Sequence, residues 1–335
     1  MAENKVAENQ PSNHVGEKAQ LDLNKMGVRS MADLLKSQPS EPSFLVDGLL
    51  PSTGISIIGG KPKDGKSTLI RNLIHAVATG GSFINKSVQK GSVLYLALEE
   101  TDYYVTDHFR KMGVDEQTPI HTVLKKTTTA DLRLLIGELK PALVVVDPLF
   151  LFIRVHDGNS YTEVYNAMGE LNDIARDQKT HILTVHHIKK GAVSGPDSLL
   201  GSTALFGSVH TMMMFEAKGN DRVLSTRQKY GPHLDPVILK YDSSIQVYSY
   251  SGTEELSRVQ SMQDEILSLI EEKGTCTHQE IKGSITGRSD ALSTAIQQLV
   301  DQGLVLRLGN GTRSSSFTYK LPQGNGDCSV NGGVQ

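Results

Sequence analysis

The stretch that decides the reading is Gly60-Lys61-Pro62-Lys63-Asp64-Gly65-Lys66-Ser67-Thr68. Its first eight residues fit G-x-x-x-x-G-K-[ST]. That pattern alone arises by chance in roughly one chain in a hundred of this length. Its surroundings make it specific. Ile55-Ser56-Ile57-Ile58 is a β-branched run that ends in glycines, and Leu69, Ile70, Leu73, Ile74 and Val77 then follow helical spacing until Gly80-Gly81. A strand, a glycine loop and a helix in that order let the loop's N–H groups converge on a phosphate, with the helix N-terminus aimed at the anion. Lys66 then reaches the β and γ oxygens, and the Ser67 hydroxyl is offered to Mg²⁺. The spacing predicts a site for ATP or another nucleoside triphosphate with Mg²⁺, held by Gly60, Lys61, Pro62, Lys63, Asp64, Gly65, Lys66, Ser67 and Thr68.

Working outward, residues 92–98 (SVLYLAL) form an apolar strand ending in Glu99-Glu100, and residues 142–146 (ALVVV) end in Asp147. An acid that follows four or five buried strand residues is placed to order Mg²⁺ through its water shell, which gives Asp147 a metal role beside Ser67. A second acid at the end of a neighbouring strand can polarise the attacking water. Strand register alone decides whether Glu99 or Glu100 points inward. Leu132, Leu135, Ile136 and Leu139 form a helical stripe, and Ser160-x-x-Glu163 opens a second helix before residues 181–185 (HILTV). Strands alternating with helices of this length predict βαβ units and a buried, mostly parallel sheet flanked by helices. Beyond residue 208 come short strands without helices, at 212–215, 223–226, 237–241 and 245–250, which predicts antiparallel strands extending one edge of that sheet.

The rest of the chain sets the limits. It has 335 residues with 34 Lys and Arg against 37 Asp and Glu, so a uniformly basic nucleic-acid coat is excluded. Two cysteines, Cys276 and Cys328, are too few for a disulfide framework, and no Cys/His group has zinc spacing. The polar N-terminal stretch carries no apolar signal region, and no run approaches the ~20 apolar residues of a membrane span, which predicts a cytoplasmic protein without a membrane partner. Residues 1–40 read as a flexible arm with one short amphipathic stretch at 31–35, and 323–335 as a disordered tail. Between them, 41–254 read as the nucleotide domain. Residues 255–322 read as a separate small domain of three helices and a hairpin, the pattern of a winged helix. Val259, Met262, Ile266, Leu269 and Ile270 give the first helix, Thr277-x-x-Glu280 caps the second, and Leu292, Ala295, Ile296, Leu299 and Val300 line the third.

GGKPKDGKST, VLYLALEE, LVVVD, TVHHIKKG and LLGSTALFG, in that order, resemble the RecA-type P-loop ring ATPases. The likeness is to the plasmid RepA-type hexameric replicative helicases, AAA-type ATPases of plasmids, phages and mobile elements, over about residues 42–250. It implies a RecA-like core, with Lys66 and Ser67 on phosphate and Mg²⁺, Glu99 as hydrolytic base and Asp147 as the metal acid. It also implies His187 as the sensor of the γ-phosphate and Lys189 and Lys190 at the start of a loop lining a DNA channel. Rings of this kind complete each site with a basic residue from the neighbouring subunit, often in a Lys-x-Arg pair. Here the stretch reads Arg227-Gln228-Lys229, with the two basic residues interchanged. Arg suits the spreading of charge over phosphate oxygens, so Arg227 is the expected finger and Lys229 its support, the division of roles being open.

The small domain adds Arg288 at the start of its third helix and Arg313 in its hairpin loop as candidate DNA contacts. Winged helices bind proteins as well as DNA, so either partner fits. Two functions follow from the sequence: a homo-hexameric, ATP-hydrolysing motor on single-stranded DNA, or an ATP-gated loader, repressor or recombination factor that binds DNA without unwinding it.

Overall fold

The computed structural model describes residues 27–37, 43–155, 157, 160–188, 203–229, 234–286, 289–311 and 316–322. The chain divides into two units, 1–42 and 43–335. In the first, α1 (Met31–Lys36) is a short helix whose N-cap, Ser30, accepts a hydrogen bond from the Asp33 N–H at 3.0 Å; none of its residues is buried.

The second unit opens with β1 (Phe44–Val46), β2 (Leu50–Pro51), β3 (Gly54–Gly60) and α2 (Lys66–Thr79). A small hairpin, β4 (Ser82–Phe83) and β5 (Lys86–Ser87), leads to β6 (Val93–Ala97), α3 (Asp102–Lys111) and β7 (Ile120–Val123). Next come α4 (Thr129–Leu139), β8 (Leu143–Asp147), α5 (Leu149–Phe152), α6 (Tyr161–Asp177), β9 (His181–His187) and α7 (Thr203–Ser208). Four strands follow: β10 (Thr211–Lys218), β11 (Asp221–Gln228), β12 (Val237–Asp242) and β13 (Val247–Thr253). The chain continues through α8 (Glu254–Lys273), β14 (Thr275–Thr277), α9 (His278–Ser284), α10 (Ser289–Asp301), β15 (Leu306–Leu308) and β16 (Thr318–Lys320).

Nine strands make one sheet in the order β13-β12-β11-β10-β3-β9-β8-β6-β7. From β10 to β7 every pairing is parallel, whereas β10 to β13 form an antiparallel meander on one edge. The glycine-ended strand β3 therefore lies at the centre, with β9 between it and the acid-ended β8. This is the order of a RecA-like α/β core. β3, β6 and β8 are buried at every position, which is why they read as unbroken apolar runs. One sheet face packs Ile58, Tyr95, Val145 and Met213 against α2 and α3. The other packs Ile57, Leu94, Val144 and Met212 against α4, α5, α6 and α7.

Local chemistry fixes the helix ends. Thr128 and Asp131 form a reciprocal capping box at α4, and Ser160 caps α6 by accepting from the Glu163 N–H. Gly80, in the left-handed conformation, ends α2. The segment from α8 to β16 has its own apolar cluster, in which Ile266, Ile270, Ile281, Ala295 and Leu299 pack together beside a small sheet in the order β14-β16-β15. Among the described residues no helix is long and apolar enough to cross a membrane.

The structure also differs in detail from the sequence expectation. Helix α3 and strand β7 carry no apolar periodicity that marks them in the sequence, and β13 begins at Val247, two residues after the start expected at Ile245. Ile245 lies exposed after a turn in which Asp242 accepts hydrogen bonds from both the Ser244 N–H and its hydroxyl. The arm at 1–26 and 38–40 and the tail at 323–335 lie outside the described residues.

Candidate functional site

Strand register brings the chemistry together. Gly60 is paired with His187, and Ala97 with Asp147, so the glycine loop, the strand-end histidines and both acidic strand ends share one edge of the sheet. This is the C-terminal edge of the parallel strands, where ligands bind in open α/β sheets.

The loop is held from three sides. The Lys61 N–H donates to Asp64 Oδ2 at 3.1 Å, and the Asp64 N–H to the Lys61 carbonyl at 3.3 Å. From the antiparallel extension, Arg222 Nε donates to the Asp64 carbonyl at 2.9 Å. Gly65 has φ +96° and faces the Tyr248 hydroxyl with no room for a Cβ, so both its backbone angle and its neighbour require glycine. Pro62 and Lys63 are exposed at the tip, and Thr68 lies in the first turn of α2.

Lys66 is 3% exposed, and its ammonium donates to the carbonyls of Gly60 and Lys61, both at 2.8 Å. Burial pushes it below the ordinary lysine range, while Asp64, Asp147 and Glu99 pull it back. The cation thus rests on the loop's own backbone, with carboxylates near but none bonded to it in the hydrogen bonds it makes there. Asp147 is buried; burial raises its carboxyl above the usual range, and a hydrogen bond from Ser67 opposes that shift. A serine hydroxyl bonded to a carboxylate beside a buried lysine is a hard-oxygen donor set that fits Mg²⁺, and the glycine loop fits the phosphates such a cation accompanies.

The two adjacent acids part company. Glu99 is exposed, and its Oε2 lies 3.7 Å from His187 Nε2 across the strand ends. Glu100 turns back under α2 and pairs with Arg71. His187 faces this edge, whereas His186 packs its ring 5.1 Å from that of Phe150. Burial first, then the charges of His187 and Lys66, lower His186 to about 4.

Arg227 and Lys229 are not part of this cluster. Arg227 stands directly opposite Met212, whose side chain belongs to the apolar face away from α2. Arg227 therefore projects from the sheet face that its own phosphate loop does not use. Together with His210, Met212 and Lys229 it lines a cleft of about 200 Å³. Lys189, Lys190, Arg288 and Arg313 lie outside the described residues, as do Tyr230, Gly231 and Pro232.

Sequence reasoning missed Arg71, Tyr95, Arg222 and Tyr248. The last two reach the loop from more than 150 residues away, and no local pattern marks them. Arg71 left a trace: it is a charge directly after Ile70 in a helix whose apolar stripe runs through Leu69, Ile70, Leu73, Ile74 and Val77.

A family model described as an AAA domain matches residues 23–193, just over half of the chain. The chain belongs to this AAA domain family. The match takes in the glycine loop, Glu99, Asp147 and His187 of this AAA-family protein, and it stops before the antiparallel extension and the segment from α8 onward. Its core is a P-loop domain of the ATPase type that this family comprises, with the strand order of a RecA-like fold. Among solved structures the protein is similar to a KaiC-like protein from the hyperthermophilic archaeon Pyrococcus horikoshii OT3, at 12% identity and a TM-score of 0.49. That likeness covers 64% of this chain and 100% of the other. No curated protein matches the chain.

Proposed function

We propose that this AAA-family protein is an ATP-hydrolysing ring motor acting on DNA, a RepA-like replicative helicase of a mobile element. In this reading Lys66 and the loop amides bind the phosphates, and Ser67 and Asp147 hold Mg²⁺, which neutralises charge on the transferring phosphoryl group. Glu99 orients the attacking water and takes its proton, and His187 reports the result to the channel loop at Lys189 and Lys190.

The observation that carries the ring is the position of Arg227. Hydrolysis of this kind gains from a second cation on the phosphates beyond the loop lysine. Arg71 is bound to Glu100, Arg222 is bound to the Asp64 and Asp221 carbonyls, and Arg227 projects from the sheet face opposite α2. A finger there serves only the site of a neighbouring copy, with Lys229 beside it. The element order α8, β14, α9, α10, β15, β16 supports reading this segment as a winged helix, and we assign it to recruiting the motor to DNA or to a protein partner. Exposed Leu306 and Leu308 on β15, with Leu304 just before it, favour a protein contact on that edge.

The test is mass in solution with and without ATP, Mg²⁺ and single-stranded DNA, coupled to unwinding of a forked duplex. The reading predicts a hexamer that separates strands and an Arg227→Ala variant that assembles but does not. A monomer under every condition overturns the ring. A ring that binds one duplex sequence without separating strands supports the ATP-gated loader instead.

A further inference from the structure

Two glutamates follow β6, and only one faces the strand-end edge where phosphate binds. Glu100 is paired with Arg71, which lies four residues beyond Ser67 and so on the same side of α2. Arg71 is 4% exposed, and its guanidinium touches three groups outside its own helix. It bonds Glu100, it lies 3.1 Å from His108 Nδ1 on α3, and its Nη2 is 3.4 Å from the Tyr95 hydroxyl on β6. That hydroxyl lies in turn 3.5 Å from Asp147 Oδ2. The backbone closes the circuit: the Leu98 N–H donates to the Asp147 carbonyl at 2.8 Å. Glu99 therefore hangs on a short segment pinned at both ends, at Leu98 by β8 and at Glu100 by the helix that begins with the phosphate-binding lysine.

We propose that Arg71 is a positioning residue for hydrolysis, its ion pair with Glu100 holding the neighbouring Glu99 carboxylate toward His187 and the phosphate end of the sheet. The proposal rests on the ATP-hydrolysing reading above. The physical argument is one of cost. A buried guanidinium paired with a single carboxylate stabilises a fold no better than a well-packed apolar residue, and removing one partner leaves an uncompensated charge. The rest of the helix face uses Leu69, Ile70, Leu73 and Ile74, so a leucine or methionine at 71 would pack as well. What Arg71 adds is a fixed direction. Without it, Glu99 and Glu100 are two adjacent carboxylates on a turn, and either could swing inward.

The experiment uses the full chain and four variants: Glu100→Gln, Arg71→Met, Arg71→Lys and the double Arg71→Met/Glu100→Gln. For each, kcat and KM for ATP are measured with the affinity for a fluorescent ADP in Mg²⁺ and the urea midpoint. The proposal predicts that Glu100→Gln and Arg71→Met each lower kcat by roughly tenfold to a hundredfold. KM and ADP affinity stay within about threefold, because phosphate binding is untouched. The double variant is no slower than the slower single one, since the two residues act as a unit. Arg71→Lys recovers part of the rate by keeping the charge. Glu100, at the surface end of the pair, keeps the test meaningful if Arg71→Met fails to fold. Wild-type kcat in Glu100→Gln, or losses that multiply in the double variant, would overturn the proposal. A wild-type chain that binds the ADP but releases no phosphate overturns the hydrolytic reading itself, and is told apart by the wild-type control.

Discussion

The core and the segment from α8 to β16 bury their side chains by different rules. Every buried polar or charged residue among those described lies between Ser56 and Thr226, including Lys66, Arg71, His108, Asp147 and His181. The cluster from Val259 to Tyr319 is apolar apart from the tip of Tyr319 and the thiol of Cys276. Burying a polar group costs free energy unless it is fully paired, so a fold keeps such groups where they do something besides pack. In the core Lys66, Arg71 and Asp147 gather toward the C-terminal edge of the sheet around the glycine loop, whereas Thr180, His181 and Thr211 lie at the opposite edge. In the smaller segment the interior only packs, and any recognition must be done by its surface.

The sharpest way to break this contrast is Lys66→Ala. The comparison predicts a loss of phosphate release of about 10²–10³-fold, since one preorganised group on the transferring phosphate is removed. Urea unfolding should move little, because the same change relieves a buried charge. A variant that hydrolyses at half the wild-type rate would place the chemistry elsewhere.

Leu299→Ala probes the other region. Truncating a buried leucine should destabilise the C-terminal segment by about 2–5 kcal/mol. Hydrogen exchange should then quicken in α8 and α10 and not in β3 or β8, with DNA-free hydrolysis unchanged. A matching fall in hydrolysis would show that the two regions are one cooperative unit.

Acid should separate the regions next. His108 is held at about 4 by burial and then by the charge of Arg71, and His181 at about 3 by burial and then by His210. Both lie below the ordinary histidine value of 6.5, so the unfolded chain takes up these protons first as pH falls. Their contribution is complete above pH 6.5 and is lost between there and about 4 for His108 and 3 for His181. Each histidine contributes at most ~1.4 kcal/mol per pH unit crossed. Urea midpoints for the core should drop from pH 7 to pH 5, and His181→Gln should flatten that drop. An unchanged slope in His181→Gln would remove this histidine from the account.

The smallest effect is expected at Thr277, whose side chain and that of Glu280 cap α9 reciprocally. Thr277→Ala should cost about 1 kcal/mol, read as a shift in the unfolding midpoint of the C-terminal segment alone.

What the sequence disclosed follows the same division. β3 and β8 are buried on both faces, so their apolar runs were plain, and the glycine loop carries its chemistry in consecutive residues. α3 was hidden because only Val105, His108 and Phe109 of its ten residues are buried, too few to leave a helical stripe. β7 was hidden because, at the sheet edge, it buries none of its four residues fully. Within the site, Lys66, Ser67 and Asp147 were legible as motif and strand end. The choice between Glu99 and Glu100 was not, because Glu100 is paired with Arg71 on another element, and no pattern within residues 92–100 encodes that pairing.

Phosphate release from ATP and Mg²⁺ by the full chain, with and without single-stranded DNA and beside Lys66→Ala, tests the central claim most directly. The account predicts hydrolysis that rises when the single strand is added and disappears in the variant. Hydrolysis that ignores the strand, or that survives in Lys66→Ala, would contradict it.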